Sequence, residues 1–130
     1  MVSFTQAVRL GFQQFFKFSG RSTRAEYWWF FLFLMMVILV LAIVDQLVGT
    51  WDEEIGQGLL SDLFAIGTLV PRTTVAARRL HDINKSGWWQ LLWFGVPISL
   101  FSIPWLAIIP VITMIVWAAR PGDTGANRYG

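Results

Sequence analysis

From Tyr27 to Val44 the chain runs YWWFFLFLMMVILVLAIV, eighteen residues without a charge, a Gly or a Pro. As a helix this stretch is roughly 27 Å long, close to the hydrocarbon thickness of a bilayer. A T-x-x-E capping box, Thr23 to Glu26, stands directly before it, so the first span is expected over residues 23–45. Ahead of it Phe4, Val8, Phe12, Phe15 and Phe16 recur at helical spacing while Arg9, Gln13 and Lys17 point elsewhere. This predicts an amphipathic helix within residues 1–20, opened by Ser3 and Gln6 and ended by Gly20. It is too short and too polar to cross, and either lies among the headgroups or packs on the other helices.

A second apolar segment over 59–80 is interrupted by Asp62, Pro71 and Arg72. Its membrane part is expected to reach about Pro71, with a cytoplasmic continuation beyond and Arg72 snorkelling at the interface. The block over 87–119 contains Gly95, Pro97, Pro104 and Pro110, which argue against one straight helix. A hairpin turning around Ser99 to Pro104 gives four membrane segments and returns the tail, 120–130, to the starting side. One broken segment would give three crossings and leave the tail opposite. The expected class is an all-α membrane protein, an amphipathic helix followed by a small bundle of about four transmembrane segments.

Composition agrees with that class. In 130 residues, 55% are hydrophobic and 14% charged, with eight Trp and eleven Phe, more apolar surface than so small a soluble domain can bury. The absence of cysteine removes disulfides and thiolate chemistry, and a single His offers no metal cluster, so no cofactor is expected. A basic segment before an apolar run also fits a signal peptide, but Asp45-Gln46-Leu47 offers no small-residue cleavage pattern and the run is read as retained.

Charge supplies an orientation. Arg9, Lys17, Arg21 and Arg24 precede the first span, and Arg72, Arg78, Arg79 and Lys85 follow the second. Between the spans, Asp45, Asp52, Glu53, Glu54 and Asp62 occur without a Lys or Arg. The basic ends, including the N-terminus, are expected in the cytoplasm and the acidic loop outside. The pI of about 9.5 thus reports membrane orientation, and nucleic acid is not an expected partner. Membrane lipids are, with a second copy or another membrane protein as further candidates.

Three strings collect at the expected cytoplasmic side: Gly20-Arg21-Ser22-Thr23-Arg24-Ala25-Glu26-Tyr27-Trp28-Trp29; Arg78-Arg79-Leu80-His81-Asp82 with Ser86-Gly87-Trp88-Trp89; and Pro121-Gly122 leading to Gly125-Ala126-Asn127-Arg128-Tyr129-Gly130. Each has a plain explanation. Glu26 completes a capping box, Arg78 and Asp82 are four apart and suited to pairing on one helix face, and His81 and Asp82 are adjacent and point in different directions. Paired Trp residues anchor an interface, and Asn127 among glycines reads as a turn. Membrane insertion needs positive charge at such a side, but not Glu, His, Asp and Asn interleaved with it. Arg21, Arg24, Glu26, Arg78, Arg79, His81, Asp82 and Asn127 are therefore candidate ligand-binding residues.

In order and spacing these strings resemble the bacterial inner-membrane family called domain of unknown function 805, or YhaH-like, over nearly the whole chain. The resemblance implies a small multi-pass bacterial inner-membrane protein without an established activity. Here the apolar block before the last string is longer than is usual for the family, and Arg72 stands where relatives tend to be apolar.

The leading expectation is a non-enzymatic integral membrane protein whose cytoplasmic face binds an anionic lipid headgroup or an acidic partner segment. Arginine suits phosphate because its planar fork makes paired contacts. The alternatives are a membrane enzyme acting on a lipid-linked phosphate substrate, with His81 or Glu26 as acid-base residue, and a small oligomeric transporter using Asp62 and Arg72.

Overall fold

The computed structural model describes residues 2–94, 96 and 102–130, and these are mostly helical. Helix α1, Phe4–Gln13, starts at a complete capping box: Gln6 N–H donates to Ser3 Oγ (3.2 Å) and Ser3 N–H to Gln6 Oε1 (3.0 Å). It stops seven residues before Gly20, sooner than its Phe stripe suggests, because the next turn docks on another helix. There Thr74 Oγ1 donates to the Phe15 carbonyl (3.2 Å), and Arg78 reaches Gln14 Oε1.

Helix α2, Arg24–Val48, is 25 residues long and ends on Gly49 in the left-handed conformation (φ 81°). Its most apolar window has a mean hydropathy of 2.7, yet only 11% of that window is buried within the protein. The core helix of a soluble domain would be mostly covered, so this one is long, apolar and bare enough to need lipid around it. By length and composition it is one such helix among the described residues, or one of two if the bent pair below counts as a span.

Of the two placements expected for α1, the structure shows packing on α2. Phe4 meets Trp29 and Phe33 edge-on, and Phe12 meets Phe30 and Phe33, at centroid distances of 5.6–6.3 Å. Gly11 permits this approach, since a Cβ there would run into the Phe30 ring. Phe15 and Phe16 continue the stripe but pack on each other.

The acidic loop contains a small antiparallel hairpin, β1 (Trp51–Asp52) and β2 (Gln57–Gly58), with Trp51 opposite Gly58. The all-helical expectation did not include it. Asp52 Oδ1 holds its turn by accepting from Glu54 N–H (2.9 Å) and Ile55 N–H (3.3 Å). Helix α3, Leu59–Gly67, then starts without a capping side chain of its own at Gly58. Asp45, on the last turn of α2, takes that place: it is fully buried and accepts from Leu60 N–H, Ser61 N–H, Ser61 Oγ and Thr50 Oγ1 at 2.5–3.0 Å. A Cβ at Gly58 would collide with its carboxylate.

The expected second span is two helices, α3 and α4 (Leu69–Asp82), bent by 45°. Pro71 lacks the N–H that would reach the Gly67 carbonyl, and the helix breaks one residue after that carbonyl, at Thr68. Arg72 folds back across the break and donates from Nη2 to the Ala65 carbonyl (3.3 Å). The arginine expected to snorkel thus has an internal partner. The returning pair brings the end of α4 to the start of α2, where Ser22 N–H donates to the Arg78 carbonyl (2.9 Å).

Helix α4 closes with Asn84 left-handed (φ 59°), Lys85 N–H on the Leu80 carbonyl (2.9 Å) and Asn84 N–H on the His81 carbonyl (3.0 Å), a Schellman arrangement. The block expected as a helical hairpin starts as a 3-10 helix, Gly87–Phe94, laid along α4: Gln90 Nε2 donates to the Thr73 carbonyl (3.2 Å), and Gly87 comes so close to Ala77 that a Cβ would touch it. Half of the expected turn, residues 99–101, lies outside the described residues. A short 3-10 turn, Pro104–Ala107, leads into α5, Ile108–Ala119. Trp89 and Trp117, near the two ends of the block, meet edge-on at 5.4 Å, above a cluster of Leu80, Ile83, Leu92 and Met114.

Candidate functional site

The end of α4 was expected to be a cytoplasmic continuation of the second span, which says nothing of its burial. There Arg78 and Arg79 are among the most buried side chains of the protein, 2% and 1% exposed. Burying an arginine is costly to the extent that its donors go unmet. Arg79 donates from Nε to the Ala118 carbonyl (2.9 Å), from Nη1 to Asp82 Oδ2 (2.6 Å) and the Ser22 carbonyl (3.3 Å), and from Nη2 to the Arg120 carbonyl. One guanidinium therefore ties α4 to the start of α2 and the end of α5. Trp28 Nε1 donates to the same Ala118 carbonyl (3.2 Å), so this Trp has a structural hydrogen bond besides any anchoring role.

Arg78 turns the other way, and donates from Nη1 to Glu26 Oε1 (3.2 Å) and to Gln14; its Nε and Nη2 are buried and have no hydrogen-bond partner among the described residues. The Glu26 backbone N–H does bond Thr23 Oγ1 (3.2 Å), as the capping box requires, but its carboxylate is directed at Arg78. The pairing that the spacing allows between Arg78 and Asp82, in the less favourable order, does not form: Asp82 pairs with Arg79 at i−3 and with Arg21 (2.8 Å).

The tail closes over this layer. Arg21 Nη1 donates to the Gly125 carbonyl (2.6 Å) and the Gly130 carbonyl (3.2 Å), and Nη2 to the Asp123 carbonyl (2.7 Å). Asp123 N–H donates to the Asp82 carbonyl (2.8 Å), and Gly122 lies where a Cβ would meet the Asp82 carboxylate. Asn127 Nδ2 donates to the His81 carbonyl (2.9 Å) and to Asp123 Oδ2 (3.0 Å). Tyr129 stacks on the His81 ring at 3.9 Å and 3°, while His81 Nδ1 meets the Gly20 carbonyl (2.8 Å). Arg128 holds Asn84 through Oδ1 (3.2 Å) and its carbonyl (3.0 Å). Lys85 Nζ lies 5.1 Å from the Trp117 ring centre.

All eight candidate residues are thus gathered at one end of the helices, mostly as one another's partners. Arg24 stands apart. It is exposed, and among the described residues its guanidinium has one hydrogen bond, to the Ala119 carbonyl (3.3 Å). It borders two shallow cavities. The larger, about 620 Å³, is lined by Val2, Gln6, Thr23, Ala25, Asp82 and the tail residues Pro121 to Asp123; the smaller, about 400 Å³, by Ala25, Trp28, Trp29 and Ala119. Of Glu26, His81 and Asp82, Asp82 alone reaches the larger one. Among the described residues no three His, Asp or Glu side chains gather as metal ligands.

Comparison with known proteins bears on what this layer belongs to. The family model described as protein of unknown function, DUF805, matches residues 15–130. The chain belongs to this family. The match takes in all three polar strings and leaves out α1. Inner membrane protein YhaH of Escherichia coli K12 is 36% identical over 113 residues, 87% of this chain and 84% of that protein. Inner membrane protein YhaI of the same organism is 37% identical over 115 residues, 87% of this chain and 82% of that one. No solved structure matches.

The sequence reading missed Asp45 as the cap of α3, Gln14 as a partner of Arg78, and Asn84 as both turn residue and tether. A signal existed for Asn84, since Asn readily takes the left-handed position after a helix.

Proposed function

We propose that this chain is a non-enzymatic multi-pass protein of the bacterial inner membrane, with four membrane segments and both termini in the cytoplasm. In this reading its polar end binds the phosphate of a lipid headgroup at Arg24. The names of its relatives support the location, and the lipid-starved surface of α2 supports membrane insertion. The even number of segments is supported by the tail: Gly130 meets Arg21 at 3.2 Å, the contact expected if both ends of the chain lie on one side of the membrane. The lack of Lys and Arg between α2 and α3 supports the orientation.

The observation that carries the binding reading is the state of Arg24: an exposed guanidinium with, among the described residues, a single hydrogen bond to a backbone carbonyl, at the first turn of α2 and at the rim of two cavities. The remaining candidates are engaged internally and hold that rim in place. The Trp-lined groove beside Arg24 favours a lipid over an acidic peptide segment, because it offers an apolar wall next to the charge. The enzyme reading lacks such support, since Glu26 is turned to Arg78 and His81 is covered by Tyr129.

The test is the phospholipid retained through purification, measured by mass spectrometry for the native chain and Arg24→Gln. Losing charge-assisted bonds to a phosphate is expected to lower retention about tenfold. Equal retention would contradict the proposal.

A further inference from the structure

The walls of the larger cavity carry both signs of charge. Arg24 and Asp123 are both exposed, both line it, and among the described residues form no ion pair with each other. The other carboxylate present, Asp82, is neutralised at both oxygens, Oδ1 by Arg21 and Oδ2 by Arg79. Asp123 is not: its carboxylate accepts one bond, from Asn127 Nδ2 at 3.0 Å, and keeps acceptor capacity on both oxygens. Its backbone is fixed through N–H to Asp82 and through its carbonyl to Arg21, so the carboxylate is presented from an anchored position. The groove lined by Trp28 and Trp29 shares Arg24 and Ala25 with this cavity.

A cation and an anion without an ion-pair partner among the described residues, beside an apolar groove, complement a molecule with an acyl chain, a phosphate and a terminal amine. We infer that the ligand of this site is a phospholipid with a primary-ammonium headgroup, its phosphate on Arg24, its ammonium on Asp123, and its acyl region against Trp28 and Trp29. This rests on the lipid reading of Arg24 and narrows it from any phosphate-bearing lipid to a zwitterionic aminophospholipid. An anionic lipid with a glycerol headgroup would bring hydroxyls but no cation to Asp123, and its net charge would meet the carboxylate's repulsion. A trimethylated ammonium would keep the charge but have no N–H to donate.

The experiment is native mass spectrometry of the detergent-solubilised full chain, titrated separately with phosphatidylethanolamine, phosphatidylcholine and phosphatidylglycerol of identical acyl chains. The native chain is expected to bind phosphatidylethanolamine about tenfold more tightly than either of the others. Asp123→Asn should remove that preference without changing thermal stability in detergent by more than a few degrees, since the tail's backbone bonds remain, and Arg24→Gln should weaken all three lipids. A preference for phosphatidylglycerol, or an ethanolamine preference that survives Asp123→Asn, overturns this inference and leaves the phosphate reading of Arg24 standing. Binding of all three lipids that ignores Arg24→Gln overturns both. Should Asp123→Asn prove unstable, Asp123→Glu serves in its place: it keeps the carboxylate and must keep the ordering of the three lipids, and its loss in a stable protein counts against the inference.

Discussion

Replacing Arg79 with Lys separates a structural knot from a set of orienting charges. If positive charge alone matters, the change is silent. In the structure it is not. The guanidinium directs Nε, Nη1 and Nη2 to carbonyls on two other elements and to Asp82, from three atoms spread over a plane. A lysine ammonium donates from a single point. It can keep Asp82 and one carbonyl, which leaves two contacts to lose. The Ala118 carbonyl still receives Trp28 Nε1, so the loss there is softened, whereas the carbonyl of the fully buried Ser22 would be left without this donor. Bonds to a charged donor contribute about 1.5–3 kcal/mol each, so the expected loss is about 3 kcal/mol. For a chain of this size that lowers the melting temperature by on the order of 10 °C. Arg79→Met, which also leaves Asp82 with Arg21 alone, should cost about 3–5 kcal/mol. Thermal unfolding of the purified protein in detergent is the assay, and a melting temperature within a degree or two of native for Arg79→Lys would refute the reasoning.

Asp45→Ala removes the carboxylate that caps α3 from the end of α2, and should cost about 2 kcal/mol, read as a lower melting temperature and faster hydrogen exchange at Leu60 and Ser61; unchanged exchange there would show that another group caps the helix. Gly11→Val forces a side chain against the Phe30 ring and should free α1 from α2, seen as protease cleavage between residues 1 and 23 that the native chain resists; native resistance would mean that the two helices do not pack as described.

The local parts of this fold were legible in the sequence. Both capping hydroxyls, Ser3 and Thr23, and the apolar run of α2 are set by spacings of a few residues, and the structure has them. Pro71 announced an interruption, though not that it would split the segment into two helices. The pairing within the polar layer was not legible. Arg78 and Arg79 are adjacent, so a helix turns them about 100° apart and sends one toward α1 and Glu26 and the other toward α5. Nothing in R-R-L-H-D says which neighbour lies on which side. The burial of the end of α4 was not legible for a related reason: its polar composition describes an exposed helix only if nothing polar covers it, and here Gln14, Ser22 and the tail carbonyls do. Asp45 was hidden by distance, since the helix it caps starts fourteen residues later.

The central claim is that the N-terminal side of α2 and the C-terminal tail meet in one cytoplasmic layer. The chain contains no cysteine, so single cysteines can be read without background. Gly130→Cys and Glu53→Cys, treated separately with a membrane-impermeant maleimide in spheroplasts and again after permeabilisation, test it most directly. The account predicts that Glu53→Cys is labelled in intact spheroplasts and Gly130→Cys only after permeabilisation. Labelling of Gly130→Cys from outside, with Lys17→Cys protected, would contradict it, because Arg21 and Gly130 could not then be in contact.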